Sequence, residues 1–430
     1  MLGAFGKRLV GVAPGPRSGL QGILVSTVLI AGAGPGGAAL AFLLARRGAE
    51  VILLERHTDF AREFRGEVLL PGGLDVVRQM GLWGAYADVP KVELRSAALY
   101  VGGRRRARLH FDPEILGDLP PHWVSQPSFL EMLVQQAGMH PSFRLERGVT
   151  VRDLLRDDGR VVGVRAVGPE GEREYRADLV IGADGRSSVV RKRAGLPVRA
   201  DRVPMDIVWF KLPLPAFLAE DPHARVYVGD GHLLLLASVY DGRLQIAWII
   251  PKGGFGRVRE RGMGACIDAM AELVSSDLAE HLRATGADAM DPFLLSTASD
   301  RVEEWSRPGL LVIGDAAHTM SPVGGQGLNI ALRDAAVAAN RLVPVLPDGR
   351  PEPGAVDAAA RAIEQERDRE VREIQRLQAR APRILFSRSR VAGMLLTLGA
   401  FLLSSGLRPP LVPRIAGRFF FGVSDVRLRV

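Results

Sequence analysis

Cysteine is nearly absent from the 430 residues: Cys266 stands alone. Intramolecular disulfides and multi-cysteine metal sites are thereby excluded, no metal is expected, and a reducing, cytoplasmic setting is the expectation. Cys266 itself reads as a small apolar filler. Lysine is scarce as well, so the formal charge of +8, from 56 basic and 48 acidic residues, is carried mostly by arginine. These arginines are scattered over expected helices and loops, not gathered with stacking aromatics, and nucleic acid is not an expected partner. Long charge-free runs are also wanting. The best candidate, "VAGMLLTLGAFLLSSGL" (391–407), has 17 residues between Arg390 and Arg408, the lower edge of a membrane-spanning length, and reads as a buried helix in preference to a peripheral membrane contact. No acid occurs in the first 24 residues, and the apolar run from Ile23 to Ile30 passes straight into a glycine turn. That pattern does not fit a secretory signal, and residues 1–24 are expected to form a disordered extension. No internal repeat is visible.

What the sequence does contain begins at residue 28, with "VLIAGAGPGGAALAFLLARRGAEVILLER". An apolar strand runs into Gly32, Gly34 and Gly37, with Pro35 and Gly36 between them, and then into an alanine-rich helix and a second strand ending at Glu55 and Arg56. The three glycines serve a tight turn, the close approach of backbone to a pyrophosphate, and the close packing of helix on sheet. Unpaired amides at the helix start favour an anion there. Glu55 lies 18 residues beyond Gly37, near the spacing of about 20 for an acid that bonds a ribose 2′-hydroxyl. Its charge would repel a 2′-phosphate, so the stretch suits FAD or NAD better than NADP.

Further along, "FRGEVLLPGGLDVVRQMGL" (64–82) reads as a loop and a helix, and "RSAALYVGGRRRARLHF" (95–111) as a hairpin turning at Gly102 and Gly103. "SFLEMLVQQA" (128–137) has helical spacing. "VTVRDLLRDDGRVVGVRAV" (149–167) reads as two strands around Asp158-Gly159, and residues 204–251 as a further meander. Residues 355–380 read as a solvated amphipathic helix. A contiguous NAD domain needs no such β-rich insertions. The expected class is α/β (α+β): a Rossmann-like nucleotide-binding domain from residues 25–90, 126–195 and 296–345, interleaved with β-sheet insertions from 91–125 and 196–295. A helical region from 346 to 430 follows.

Two later motifs bear on the cofactor. "ADLVIGADGRSSVVRKRAG" (177–195) is a strand ending at Asp184 and Gly185, ahead of a basic helical start. "PGLLVIGDAAHTMSPVGGQGLNIALRDAA" (308–336) delivers Gly314 and Asp315 at the carboxyl end of a buried strand, where open α/β sheets bind ligands. Pro322 and the loop Gly324, Gly325, Gln326 and Gly327 then open a helix at Leu328 and Asn329. Glycines there let the backbone approach a planar ring, and the helix start offers amides to the negative charge of a reduced flavin.

Together these motifs resemble the single-component FAD-dependent aromatic hydroxylases of the p-hydroxybenzoate hydroxylase type, over roughly residues 26–345. The resemblance implies that the discontinuous Rossmann-like unit is the FAD-binding domain and the β-sheet insertions the substrate domain, with non-covalent FAD, reduction by NADH or NADPH, and reaction with O2 to a flavin hydroperoxide that oxygenates an aromatic or polyketide-like small molecule. It further implies that Arg65 and Gln126 contact the phosphate and ribityl region, and that the Val151 backbone touches adenine. Asp184 and Gly185 would support FAD and the visiting nicotinamide, Asp315 a ribityl hydroxyl, Pro322 the isoalloxazine, and Gly327 to Asn329 its pyrimidine edge. A surface ion pair or helix cap is the plainer role for Arg65 and Gln126. No catalytic acid or base is assigned; His318 reads as a packing or capping residue, and Trp209, Tyr227, Tyr240 and Trp248 as strand aromatics. Two rivals share the nucleotide motifs: a flavin-dependent reductase of isoprenoid double bonds and a flavin-dependent halogenase. The second is suggested by "IAWIIP" (246–251), although Ile246 replaces a tryptophan and no lysine lies between Arg65 and Pro90.

Overall fold

The apolar run after residue 26 becomes the central strand of a six-stranded sheet in the computed structural model, which describes residues 27–61, 67–111, 113–201, 203–219, 223–229, 231–289, 291–346, 351–385 and 417–430. The expectations for residues 1–24, Arg65 and residues 391–407 lie outside the described residues. Across the sheet lie Ser306–Arg307, Leu310–Val312, Leu179–Gly182, Thr27–Ala31, Glu50–Glu55 and Phe143–Arg147. All neighbours run parallel except the short Ser306–Arg307 edge. The helices Pro35–Ala45, Gln126–Gly138 and Gln326–Leu342 pack together beside this sheet, and an antiparallel meander formed by Thr150–Asp157, Arg160–Gly168 and Gly171–Arg176 also packs against it. Val28 to Ala31 and Leu179 to Ile181 are therefore closed to water at every position, which is why they read as unbroken apolar runs. From Thr27–Ala31 the chain first goes to Glu50–Glu55 on one side and later returns to Leu179–Gly182 on the other. That reversal opens a crevice at the strands' carboxyl ends.

A seven-stranded sheet adjoins it, ordered Phe293–Ser296, Met205–Pro213, Arg243–Pro251, His232–Ser238, Ala224–Gly229, Ser96–Val101 and Arg104–His110. Alternate residues point to opposite faces, and here both faces are apolar. Phe210, Leu212, Leu234, Ile246, Tyr227 and Trp248 pack with the helices Met263–Ala271 and Ser276–Ala289, whose Cys266 is a buried part of that cluster. Ile207, Trp209, Leu233, Ala247 and Ile249 form a separate cluster on the other face. A small sheet of Val68–Leu69, His122–Val124 and Lys91–Glu93 supplies Trp123 to that second cluster.

The helix Pro353–Leu385 departs from the solvated reading of residues 355–380. Its inner face carries Arg367 and Glu370, both buried, beside Val356, Ile363, Val371 and Ile374. Charges are tolerated there because they meet complementary charges from the neighbouring helix. Asp334 accepts from Arg367 Nε (2.8 Å) and pairs with His318 Nε2 (2.7 Å). Glu370 pairs with Arg367 and with Arg333 (2.7 Å) and also receives Val423 N (2.9 Å) and the Ser424 hydroxyl (2.8 Å). Burial alone would raise both carboxyls, but His318 and Arg367 hold Asp334 at about 2, and Arg367 and Arg333 hold Glu370 at about 2. Removing one member leaves the others uncompensated in a dry interior. Asp334→Ala is expected to cost about 3–5 kcal/mol of stability, measured by urea denaturation followed by circular dichroism.

Candidate functional site

Three turns at the carboxyl ends of adjacent parallel strands build the site. At the first, Gly32 has φ +102° and lies so close to the Ala183 carbonyl that any side chain would collide with it. A side chain on Gly37 would strike the Gly32 carbonyl, so the helix Pro35–Ala45 packs tightly on the turn. Gly34 differs: the nearest atom to a Cβ built there is 3.9 Å away. Its missing side chain serves the open space beside it instead of protein packing. The helix has no side-chain cap, so its first-turn amides remain free for an anion. Glu55 is buried and accepts Ala33 N (2.9 Å) and His57 N (3.0 Å), which places its carboxylate directly under the turn.

At the second turn, Asp184 receives Val189 N (2.7 Å), Val190 N (3.1 Å) and the Ser188 hydroxyl, capping the short helix Val189–Arg193. Burial pushes its carboxyl up, against the opposing pull of those hydrogen bonds. Arg191, from the basic cluster, donates to the Arg186 carbonyl (2.8 Å) and the Ala316 carbonyl (3.4 Å), and pairs with Asp300 (3.3 Å). The basic run thus ties the second turn to the third.

At the third, Gly314 donates to Asp334 Oδ2 (3.0 Å), and Gly324 and Gly325 take φ of +77° and +62° before the helix Gln326–Leu342. A side chain on Gly324 would collide with the Phe419 ring, and Gln326 Nε2 donates to the Phe419 carbonyl (2.6 Å). The C-terminal aromatics therefore sit directly on this loop. The Asn329 side chain accepts Leu70 N (2.8 Å) and donates to the Val68 carbonyl (3.0 Å), which locks the Val68–Leu69 strand to the helix. His318 is buried against Trp305, their ring centres 4.9 Å apart, with Nε2 on Asp334; it does not border the cavity.

The turns open on one cavity of about 1090 Å³, above the usual 300–1,000 Å³ of small-molecule sites. It is bordered by every described candidate except Asn329: Gly32, Gly34, Pro35, Gly36, Gly37, Glu55, Arg56, Gln126, Val151, Asp184, Gly185, Gly314, Asp315, Pro322, Gly325, Gln326, Gly327 and Leu328. Beyond Pro322 the cavity continues along the apolar face of the seven-stranded sheet, over Ile207, Trp209, Leu235, Ala247 and Ile249. Of the four strand aromatics singled out from the sequence, only Trp209 borders it. Among the lining residues that the sequence reading did not single out are Glu67, Trp123, Phe419 and Phe420. An acid set among the apolar residues after Gly66 was a legible signal for Glu67; the phenylalanines carried none.

The FAD binding domain family model matches residues 25–366. The 6-methylpretetramide 4-monooxygenase of Streptomyces rimosus is 33% identical over 417 residues, 94% of each chain. Among solved structures, p-nitrophenol 4-monooxygenase PnpA from Pseudomonas putida superposes with a TM-score of 0.76 at 20% identity, over 94% of this chain and 100% of that one. PqsL of Pseudomonas aeruginosa, a probable FAD-dependent monooxygenase, gives 0.73 at 23% identity, over 86% and 99%. A cleft bounded by glycine turns, with an open cradle at Gly34 and a carboxylate beneath it, fits the cofactor that this family binds. The chain belongs to the FAD-binding domain family and is an FAD-dependent monooxygenase of the aromatic-hydroxylase type.

Proposed function

We propose that the enzyme binds FAD non-covalently along the three turns, takes electrons from NADH or NADPH, and oxygenates an aromatic, polyketide-like molecule lying on the apolar sheet face. One observation carries this reading: turns far apart in sequence meet on a single cavity whose other end is an apolar sheet surface. The relative named as a 6-methylpretetramide monooxygenase, similar over nearly the whole chain, supports the choice of substrate class.

In this reading Gly32, Gly34, Pro35, Gly36 and Gly37 hold the pyrophosphate, and Glu55 and Arg56 the adenosine ribose. Arg65 and Gln126 serve the phosphate and ribityl region, and Val151 the adenine. Asp184 and Gly185 shape the middle of the cleft, and Gly314 and Asp315 meet the ribityl chain. Pro322 and the stretch from Gly325 to Leu328 flank the isoalloxazine. Asn329 acts one step back, by fixing the strand beside that loop. Bound FAD, once reduced, supplies oxygen activated from O2. The chain's own task is to orient the substrate, keep water out, and offer helix amides to flavin charge. The apolar sheet face and the Phe419–Phe420 pair are suited to the second of these.

Addition of the right polycyclic phenol is expected to stimulate NAD(P)H and O2 consumption and to yield a product heavier by one oxygen atom, read by mass spectrometry. Turnover that persists under strict anaerobiosis would favour the isoprenoid reductase instead, and halide-dependent product mass the halogenase. Gly34→Ala should fold normally yet bind FAD roughly tenfold or more weakly, a loss of about 1.4 kcal/mol, whereas Gly37→Ala should fail to fold because it meets main chain. Removing the charge-assisted hydrogen bond of Glu55 should cost about 1.5–3 kcal/mol, so Glu55→Ala is expected to weaken FAD binding by roughly 10- to 150-fold. Equilibrium dialysis against FAD checks all three variants.

A further inference from the structure

Glu67 is the least explained residue on the cavity wall. It precedes the Val68–Leu69 strand, its carbonyl accepts Val124 N (2.8 Å), and the side chain is only 4% exposed. Val68 lies against Gly325, with 3.5 Å between its Cβ and one built on that glycine, so Glu67 sits close to the loop that opens the helix Gln326–Leu342. Its Oε2 is buried and has no hydrogen-bond partner among the described residues. An unpaired buried carboxyl oxygen is destabilising, and an apolar residue would fit the surrounding wall better.

Other orphaned polar atoms gather around it. In the seven-stranded sheet Trp209 pairs with Ala247 and, two residues on, Lys211 pairs with Gln245; all four point to the cavity face. Trp209 Nε1 and Gln245 Nε2 are buried and have no partner among the described residues. The Trp123 indole beside Glu67 donates to Gln245 Oε1 (3.2 Å). Lys211 is already paired with Asp241 (2.6 Å) and lies over the Tyr240 ring. The apolar sheet end of the cavity thus includes a polar corner at Glu67, where three buried polar atoms find no hydrogen-bond partner among the described residues.

We propose that Glu67 is the anchor for substrate, its carboxylate accepting a hydrogen bond from a phenolic or enolic hydroxyl at one edge of an otherwise apolar ring system. The inference deepens the monooxygenase reading and rests on it. The corner selects ligands that carry an acidic hydroxyl and fixes which edge of the rings faces the sheet. Burial pushes the Glu67 carboxyl up to about 7, with Asp241 adding to the rise and Lys211 and Trp123 opposing it; Tyr240 also faces this carboxyl. The anchor therefore strengthens as pH rises through about 7 and the group ionises.

The test uses FAD-loaded enzyme and three ligands of one skeleton, 9-phenanthrol, 9-methoxyphenanthrene and phenanthrene, titrated by their effect on the visible absorbance of the flavin. Wild type is expected to bind the phenol roughly tenfold or more tighter than the other two, with a preference that grows through neutral pH. Glu67→Leu should reduce that preference to about one, with phenanthrene affinity and FAD retention unchanged. Glu67→Gln, which keeps a carbonyl acceptor, should retain a smaller preference that does not vary with pH. Equal affinities in wild type, a preference that survives in Glu67→Leu, or no binding by any of the three overturns the anchor. Failure of the chain to take up FAD is a separate result, seen before any ligand is added, and overturns the broader reading.

Discussion

The Asp334 carboxylate holds the architecture of the site in place. From a fully buried position it receives the Gly314 amide, pairs with His318 and accepts from Arg367. The first contact fixes the third cofactor-facing turn, the second fixes the segment leading out of it, and the third joins both to the C-terminal helix. Through Arg367 the connection passes to Glu370 and Arg333, and from them to the Phe421 carbonyl and Ser424. Phe419 and Phe420 reach the cavity because the chain just beyond them is pinned in this way. Buried ion networks of this sort are weak stabilisers compared with a well-packed apolar core. Their value here is positional, since several segments are held at defined places by directional bonds.

Two surfaces of opposite character meet in one cavity. The parallel sheet contributes backbone: glycines without side chains, uncapped helix starts, and carboxylates that brace turns. The seven-stranded sheet contributes side chains, nearly all of them apolar. The first surface suits a charged, hydrogen-bonding ligand and the second a flat hydrophobic one. A mixed sheet buried on both faces can serve the second purpose because its outer face is already covered by the helices that carry Cys266 and Ile267. The inner face is thereby left for something other than folding.

Much of this arrangement was legible in the sequence wherever the signal was local. Gly32, Gly34 and Gly37, the two strands flanking them, the turn at Asp184 and the loop after Pro322 are short patterns set by backbone geometry and period. The Gly102-Gly103 hairpin and the strands around Asp158-Gly159 fall in the same class, appearing as Ser96–Val101 with Arg104–His110 and Thr150–Asp157 with Arg160–Gly168. Partners distant in sequence were not legible. Nothing in "GRFFFG" announces contact with Gly324 some ninety residues earlier. The charged helix after residue 353 read as solvated because its periodicity cannot reveal that Arg367 and Glu370 meet Asp334 and Arg333. The side-chain bonds of Asn329 to Val68 and Leu70 were equally silent in the sequence. In each case the deciding information lay in another segment of the chain.

The order of strands across the central sheet bears on how the polypeptide is made. Thr27–Ala31 and Leu179–Gly182 are neighbours, yet Leu310–Val312, which closes the other side of Leu179–Gly182, is synthesised about 130 residues later. Until it leaves the ribosome, the nascent chain presents a parallel strand with an unpaired edge, the kind of surface that invites aggregation. Closure of the central sheet thus waits on a segment made late in synthesis, and yield in a heterologous host is expected to depend on chaperone supply and translation speed as well as on the strength of the finished core.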